Sequence, residues 1–148
     1  AIIEYLDETH REPALLPADP AGRARVRSLA QIIACDIQPL QNTSTTQYLR
    51  DVLGVDRPQI EAWMLEFIGK GLDALEAQLA GHPDTGRYAH GDTPGLVDCC
   101  LVPQCYAARR FGVSMDGGRY PAVTAIERAC QELPAFQSAA PGQQPDRE

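Results

Sequence analysis

The sequence lacks a basic surplus. Its formal net charge is −7, which argues against nucleic acid as a partner, because phosphate binding needs a basic surface. It has no apolar run near the roughly 20 residues that span a membrane. No segment alternates like a strand, nothing repeats, and no tract is of low complexity. The five cysteines (Cys35, Cys99, Cys100, Cys105 and Cys130) show neither a secreted disulfide spacing nor two CxxC pairs. They lie inside apolar helical patterns, the expected place of reduced, buried thiols in a cytosolic protein. A starting methionine, an N-cap and a leader are also missing. Ala1 to Glu8 reads as helix from its first position, so an upstream portion is expected to be absent.

What is present suits one helical domain. The 148 residues are 44% apolar, enough for a core and too many for a disordered chain. The opening helix is expected to end near His10. Arg11 to Asp19 then reads as a linker stiffened by Pro13 and Pro17, with Leu15 and Leu16 free to enter a core. Asp19-Pro20 makes a helix start, with aspartate capping and proline first. Val26, Leu29, Ile33, Ile37 and Leu40 recur at helical spacing. This helix is expected to run on, kinked, to Leu49 or Leu53, with Gly54 as its stop. Pro58 opens another helix with a wide apolar face, in which Gly69 and Gly71 predict close packing against a neighbour. Leu96 to Phe111 is apolar on nearly every face and predicts a central buried helix. Pro121 opens a further helix, Pro134 to Ala140 suits a short turn, and residues 142–148 read as a polar tail. The expected fold is an all-α bundle.

The polarity pattern breaks at Gln38, Gln41, Asn42, Thr43 and Ser44, five neutral hydrogen-bonding side chains within seven positions. Pro39 among them removes a backbone donor and kinks the helix. Uncharged amides and hydroxyls can hold a polar ligand without the desolvation cost of a buried charge. They also suit a plain helix junction, and both readings stand at this point. Arg109 and Arg110 end the apolar helix, where the dipole favours cations. An arginine there can equally grip a carboxylate at a site edge. Asp98 is a structural acceptor at a helix start rather than a catalytic group. Cys99, Cys100 and Cys105 with His82 and His90 make a poor zinc set, since adjacent helical residues point about 100° apart; no metal is expected. Residues 91–95 lack the lysine and glycine fingerprint of a phosphate cradle.

The ordered motifs Ile37-Gln38-Pro39-Leu40-Gln41-Asn42, Leu101-Val102-Pro103-Gln104, Arg110-Phe111, Ala135-Phe136 and Gln144-Pro145-Asp146 resemble the zeta class of glutathione transferases, the maleylacetoacetate and maleylpyruvate isomerase family. The resemblance covers essentially the whole chain. It implies a glutathione transferase C-terminal-like helical bundle over residues 20–141. Residues 1–10 would be the last helix of a thioredoxin-like domain, 11–19 the interdomain linker and 142–148 the tail. It also implies glutathione contacts at Gln38, Asn42, Thr43 and Ser44, and a carboxylate-holding arginine at Arg110. Arg109 falls where the family need not be basic. The thiol-activating group would lie upstream, so no catalytic residue is expected here and the chain alone would be inactive.

The implied activity is glutathione-dependent cis-trans isomerisation of a maleyl diacid, in aromatic amino acid or aromatic compound catabolism, by a cytoplasmic homodimer. A general glutathione transferase and a non-catalytic assembly domain are the alternatives. Transferases of the wider superfamily usually place serine or threonine three residues before the aspartate of this helix, and here Gly95 stands there. A helix start weaker by up to about 1 kcal/mol is therefore expected, with Gly95→Thr strengthening it.

Overall fold

The structure, a computed structural model, describes residues 1–145. Asp146, the end of the last motif, lies outside the described residues. These form helices joined by turns, with no strand among them. Among the described residues no helix is long and apolar enough to cross a membrane.

Helix α1 (Ile2–Thr9) buries none of its residues fully. Glu4 holds it to the next helix by an ion pair to Arg27 at 2.6 Å. The linker then crosses the domain. Its Leu15 N–H donates to Asp7 at 2.6 Å, its Leu15 carbonyl accepts from Leu96 N–H at 2.9 Å, and Leu16 packs on the core. The linker is thus stitched to the start of a later helix, a non-local tie its sequence does not announce.

Helix α2 (Pro20–Gln31) starts as its sequence predicts: Asp19 accepts from Gly22 N–H at 2.7 Å. It does not run on to Leu49 or Leu53. It widens into a π-helix over Ile32–Ile37, continues as the short α3 (Gln38–Gln41), and breaks at Asn42. Pro39 has no N–H to give the carbonyl four residues back. One extra residue per turn accommodates it, with Gln38 N–H reaching Ile33. Asn42 is extended (φ −72°, ψ 163°), and its side chain caps a new helix, α4 (Thr43–Asp51), by accepting from Thr45 N–H at 2.9 Å. The kink is therefore a break between two helices. Gly54 follows at φ 64°, the left-handed turn that favours glycine.

Asp56 and Gln59 close a capping box on α5 (Arg57–Leu79). Met64, Ile68, Leu72, Leu75 and Leu79 are its buried stripe. A β-carbon on Gly71 would fall inside the Ile37 side chain. Glycine is what lets the π-helix lie against α5. Gly69 differs: its nearest neighbour would be the Tyr120 hydroxyl at 4.0 Å, so close packing does not explain it.

Helix α6 (Leu96–Arg110) buries Leu96, Val97, Asp98, Leu101, Gln104, Cys105 and Ala108. Pro103 is exposed and Tyr106 is 52% exposed. The apolar sequence on nearly every face thus leaves one side open among the described residues. Helix α7 (Pro121–Gln131) has no side-chain cap of its own. Glu76 of α5 supplies one, accepting from Ala122 and Val123 N–H at 3.0 Å each. Helix α8 (Pro134–Ala139) and a 3-10 turn (Pro141–Gln143) follow. Gln144 folds back on this end, donating to the Ser138 and Ala140 carbonyls at 2.9 and 3.2 Å, although the sequence there reads as an unpacked tail.

Candidate functional site

The break after Ile37 is held from three sides. Ile37 is fully buried against Gly71. Trp63 of α5 donates its indole N–H to the Leu40 carbonyl at 2.9 Å, one of the end-of-helix acceptors that a break leaves open. Gln104 of α6, itself 0% exposed, bonds both glutamines of α3. Its Oε1 accepts from Gln41 Nε2 at 2.8 Å and from Gln38 Nε2 at 3.3 Å. Its Nε2 donates to Gln41 Oε1 at 3.2 Å.

These bonds divide the polar set. Gln41 is spent on Gln104 at both ends of its amide. Gln38 is exposed and uses only its Nε2, leaving Oε1 without a partner among the described residues. Asn42 works structurally: Oδ1 caps α4 and Nδ2 donates to the Pro39 carbonyl at 3.1 Å. Ser44 is exposed and donates its hydroxyl to Asn42 Oδ1 at 2.7 Å. Thr43 is exposed, with its carbonyl accepting from Thr46. Asn42, Thr43 and Ser44 thus surround the N-terminus of α4. The first N–H groups there have no intrahelical partner and favour a negative group.

The two arginines ending α6 separate clearly. Arg109 makes a bidentate pair with Glu127 of α7, at 2.6 and 2.7 Å. Glu127 is buried, and its hydrogen bonds hold the Arg109 guanidinium above its ordinary pKa. Arg110 is exposed and bonds no described residue. The helix-end reading of the pair therefore fits Arg109, joined to a buried carboxylate, and leaves Arg110 free.

At the other end of α6, Asp98 is buried and accepts from Gly95 N–H at 2.7 Å and Ala89 N–H at 3.0 Å. Burial holds its carboxyl above the ordinary value, against the opposing pull of the same two N–H groups. It fastens the preceding loop to the helix start, a structural role. Arg25 secures that loop from α2, donating to the Ala89 carbonyl, Thr85 Oγ1 and His90 Nδ1 at 2.7, 2.7 and 3.2 Å. Among the described residues no group of three or more His, Cys, Asp or Glu is placed to hold a metal.

Sequence patterns single out Gln38, Asn42, Thr43, Ser44 and Arg110, and they miss Gln104 and Glu127. The signal for both was a lone polar residue on the buried face of an apolar helix. Such a group needs a partner, but its identity is set by the fold.

A curated relative, the maleylpyruvate isomerase of a Ralstonia species, is 53% identical over 146 residues, 99% of this chain and 68% of its own length. A solved holo structure of maleylpyruvate isomerase, described as a bacterial glutathione transferase of the zeta class, superposes at a TM-score of 0.95. It is 52% identical and covers 99% of this chain and 68% of that one. The chain belongs to the zeta class of glutathione transferases.

The C-terminal domain model of glutathione S-transferases matches residues 57–129, from the start of α5 into α7. A maleylacetoacetate isomerase from Anaeromyxobacter dehalogenans, solved with glutathione in its active site, matches at a TM-score of 0.90 and 46% identity, over 100% of this chain and 65% of that one. The chain thus spans about two thirds of the length of these zeta-class relatives. The glycine at position 95 has a structural reason. A β-carbon there would stand 2.8 Å from the Leu15 carbonyl oxygen, so the expected gain from threonine does not follow. Asp98 still supplies its half of the capping box.

Proposed function

We propose that this chain is the helical part of a glutathione-dependent cis-trans isomerase acting on maleylacetoacetate or maleylpyruvate. The observation that carries this is agreement along 99% of the chain with a protein named maleylpyruvate isomerase. The family's use in aromatic amino acid or aromatic compound breakdown, its cytoplasmic location and its homodimeric state belong to the same reading. Residues 1–10 then end a thioredoxin-like domain, 11–19 link the domains, and 20–141 form the helical domain. Helix α6 becomes central in the whole protein. Its open side borders a groove of about 700 Å3, lined in part by Val102, Tyr106 and Phe136, and the remaining third of the relatives' length is available to cover it.

The donor set at the helix break fits glutathione, a tripeptide with two carboxylates, an ammonium and peptide N–H groups. Gln38 offers a free amide oxygen to an N–H. The start of α4, at Thr43 and Ser44, offers backbone N–H groups to a carboxylate. Asn42 keeps that helix start in shape. When bound, glutathione supplies a thiol that adds to the cis double bond and is regenerated after the bond turns. The chain's own residues hold and orient the reactants. Arg110, free of ion pairs to the described residues, grips a carboxylate of the diacid; Arg109 does not, being engaged by Glu127.

The test uses the full-length enzyme. Turnover of a maleyl diacid with glutathione in catalytic amount is expected; conjugation of an aryl halide alone would favour a general transferase. Arg110→Ala should raise the KM for the diacid roughly ten- to a hundredfold, the value of a charge-assisted hydrogen bond. Unchanged turnover and affinity would remove Arg110 from the site.

A further inference from the structure

We propose that Gln104 is a positioning residue that fixes which end of the Gln38 amide faces glutathione. The inference rests on the reading of Gln38 as a glutathione contact. Gln104 is the one glutamine among the fully buried side chains of the described residues, and its bonds form a directed network. Its Oε1 accepts from both Gln41 and Gln38, at 2.8 and 3.3 Å. On the far side Gln104 Nε2 donates to Gln41 Oε1 at 3.2 Å, so in this arrangement the carbonyl end of Gln104 is the one turned to Gln38. Gln104 meets Gln38 there as an acceptor. Gln38 turns its NH2 inward and its Oε1 outward. A side chain with three rotatable torsions is thereby held in one pose before a ligand arrives. The group that Gln38 takes from glutathione is then a donor, a peptide N–H or the ammonium.

Simple core packing would explain the burial of Gln104, but not why both partners come from the polar break. Those partners lie at the surface, Gln38 exposed and Gln41 half-buried. Each can rehydrate if Gln104 is replaced by an apolar side chain of similar length. Loss of Gln104 should therefore affect binding more than folding. Residue 104 also stands on the helix that ends at Arg110, six residues or about 9 Å further along the axis. Helix α6 then orients the glutathione wall with one side chain and carries the diacid grip at its end.

The experiment compares Gln104→Met, Gln104→Glu and Gln38→Leu in the full-length enzyme, with saturation by glutathione and by the diacid, and thermal unfolding. Gln104→Met should raise the KM for glutathione roughly five- to tenfold. The kcat at saturating glutathione and the KM for the diacid should stay near the parent values. Gln104→Glu keeps an acceptor toward Gln38 and should recover most of that loss. Gln38→Leu should raise the glutathione KM at least as much. If Gln38→Leu has no effect, Gln38 is not a contact and the inference falls with that reading. If Gln38→Leu weakens glutathione binding but Gln104→Met does not, the contact stands and the positioning role is overturned. A Gln104→Met that lowers kcat and the unfolding temperature with the glutathione KM unchanged overturns it too, as does a Gln104→Glu no better than Gln104→Met.

Discussion

A β-carbon on Gly95 would meet the Leu15 carbonyl oxygen at 2.8 Å, and that same oxygen accepts the Leu96 N–H at 2.9 Å. The backbone of Gly95 is extended (φ −138°, ψ −161°), a conformation open to any residue. Glycine is required here by proximity, not by torsion. Substituting threonine adds a side-chain cap worth about 1 kcal/mol but forces the linker off the helix start, at about 1–3 kcal/mol. Gly95→Thr should therefore lower the urea midpoint with the m-value unchanged. A higher midpoint would show that the linker yields. The arginine pair makes a similar point about single residues. Arg109 and Arg110 have the same chemistry and adjacent positions. The carboxylate of Glu127, buried on α7, distinguishes them, with Asp116 3.9 Å from Arg109 as a weaker second.

At the scale of elements, the break between α3 and α4 is an assembly of three helices. Pro39 removes a donor, the π-helix takes up the mismatch, and Asn42 starts the next helix. Yet Ile37, Leu40 and the two glutamines are held by Gly71, Trp63 and Gln104 from α5 and α6. The two glycines of α5 provide the check. Gly71→Ala drives a methyl group into Ile37 and should cost about 1–3 kcal/mol. Adding Ile37→Ala, which removes both carbons that a methyl at residue 71 would strike, should recover part of it, a coupling readable from a double-mutant cycle. Gly69→Ala brings its methyl only to ordinary contact, 4.0 Å from the Tyr120 hydroxyl, and should be neutral or stabilising by up to about 1 kcal/mol, the helix propensity difference. Equal effects at both positions would remove Ile37 as the reason for Gly71.

At the scale of the molecule, the thiols report how tightly the helices close. Cys105 and Cys130 are buried between α6 and α7, while Cys35 is exposed. Burial first, then the Glu127 carboxylate, pushes the Cys105 thiol up, and burial pushes Cys130 up to about 12. A raised folded-state pKa favours the protonated thiol. Its stabilising contribution is complete below the unfolded value near 9 and is lost as pH rises through the folded one. Native protein at pH 8 should therefore take up iodoacetamide at Cys35 and spare Cys105 and Cys130 until urea opens the core. Labelling of either buried thiol at the rate of Cys35, seen by peptide mass mapping, would refute this closed packing. Thermal stability should also fall as pH rises above 9.

The helix starts at Asp19, near Pro58 and at Pro121, the stop at Gly54 and the apolar stripe of α5 were legible in the sequence. Each depends on residues within one or two turns of one another, where spacing and capping chemistry are enough. The polar break and its place in the chain were legible for the same reason. The division of labour within it was not. Whether Gln38 or Gln41 keeps a free amide, whether Arg109 or Arg110 is free, and why residues 71 and 95 are glycine all depend on contacts between segments far apart in sequence. A single chain of letters carries those pairings only as unmatched polar groups and missing β-carbons. Tertiary packing decides them, because only the assembled helices set which buried group finds which partner and which backbone must pass within 3 Å of another.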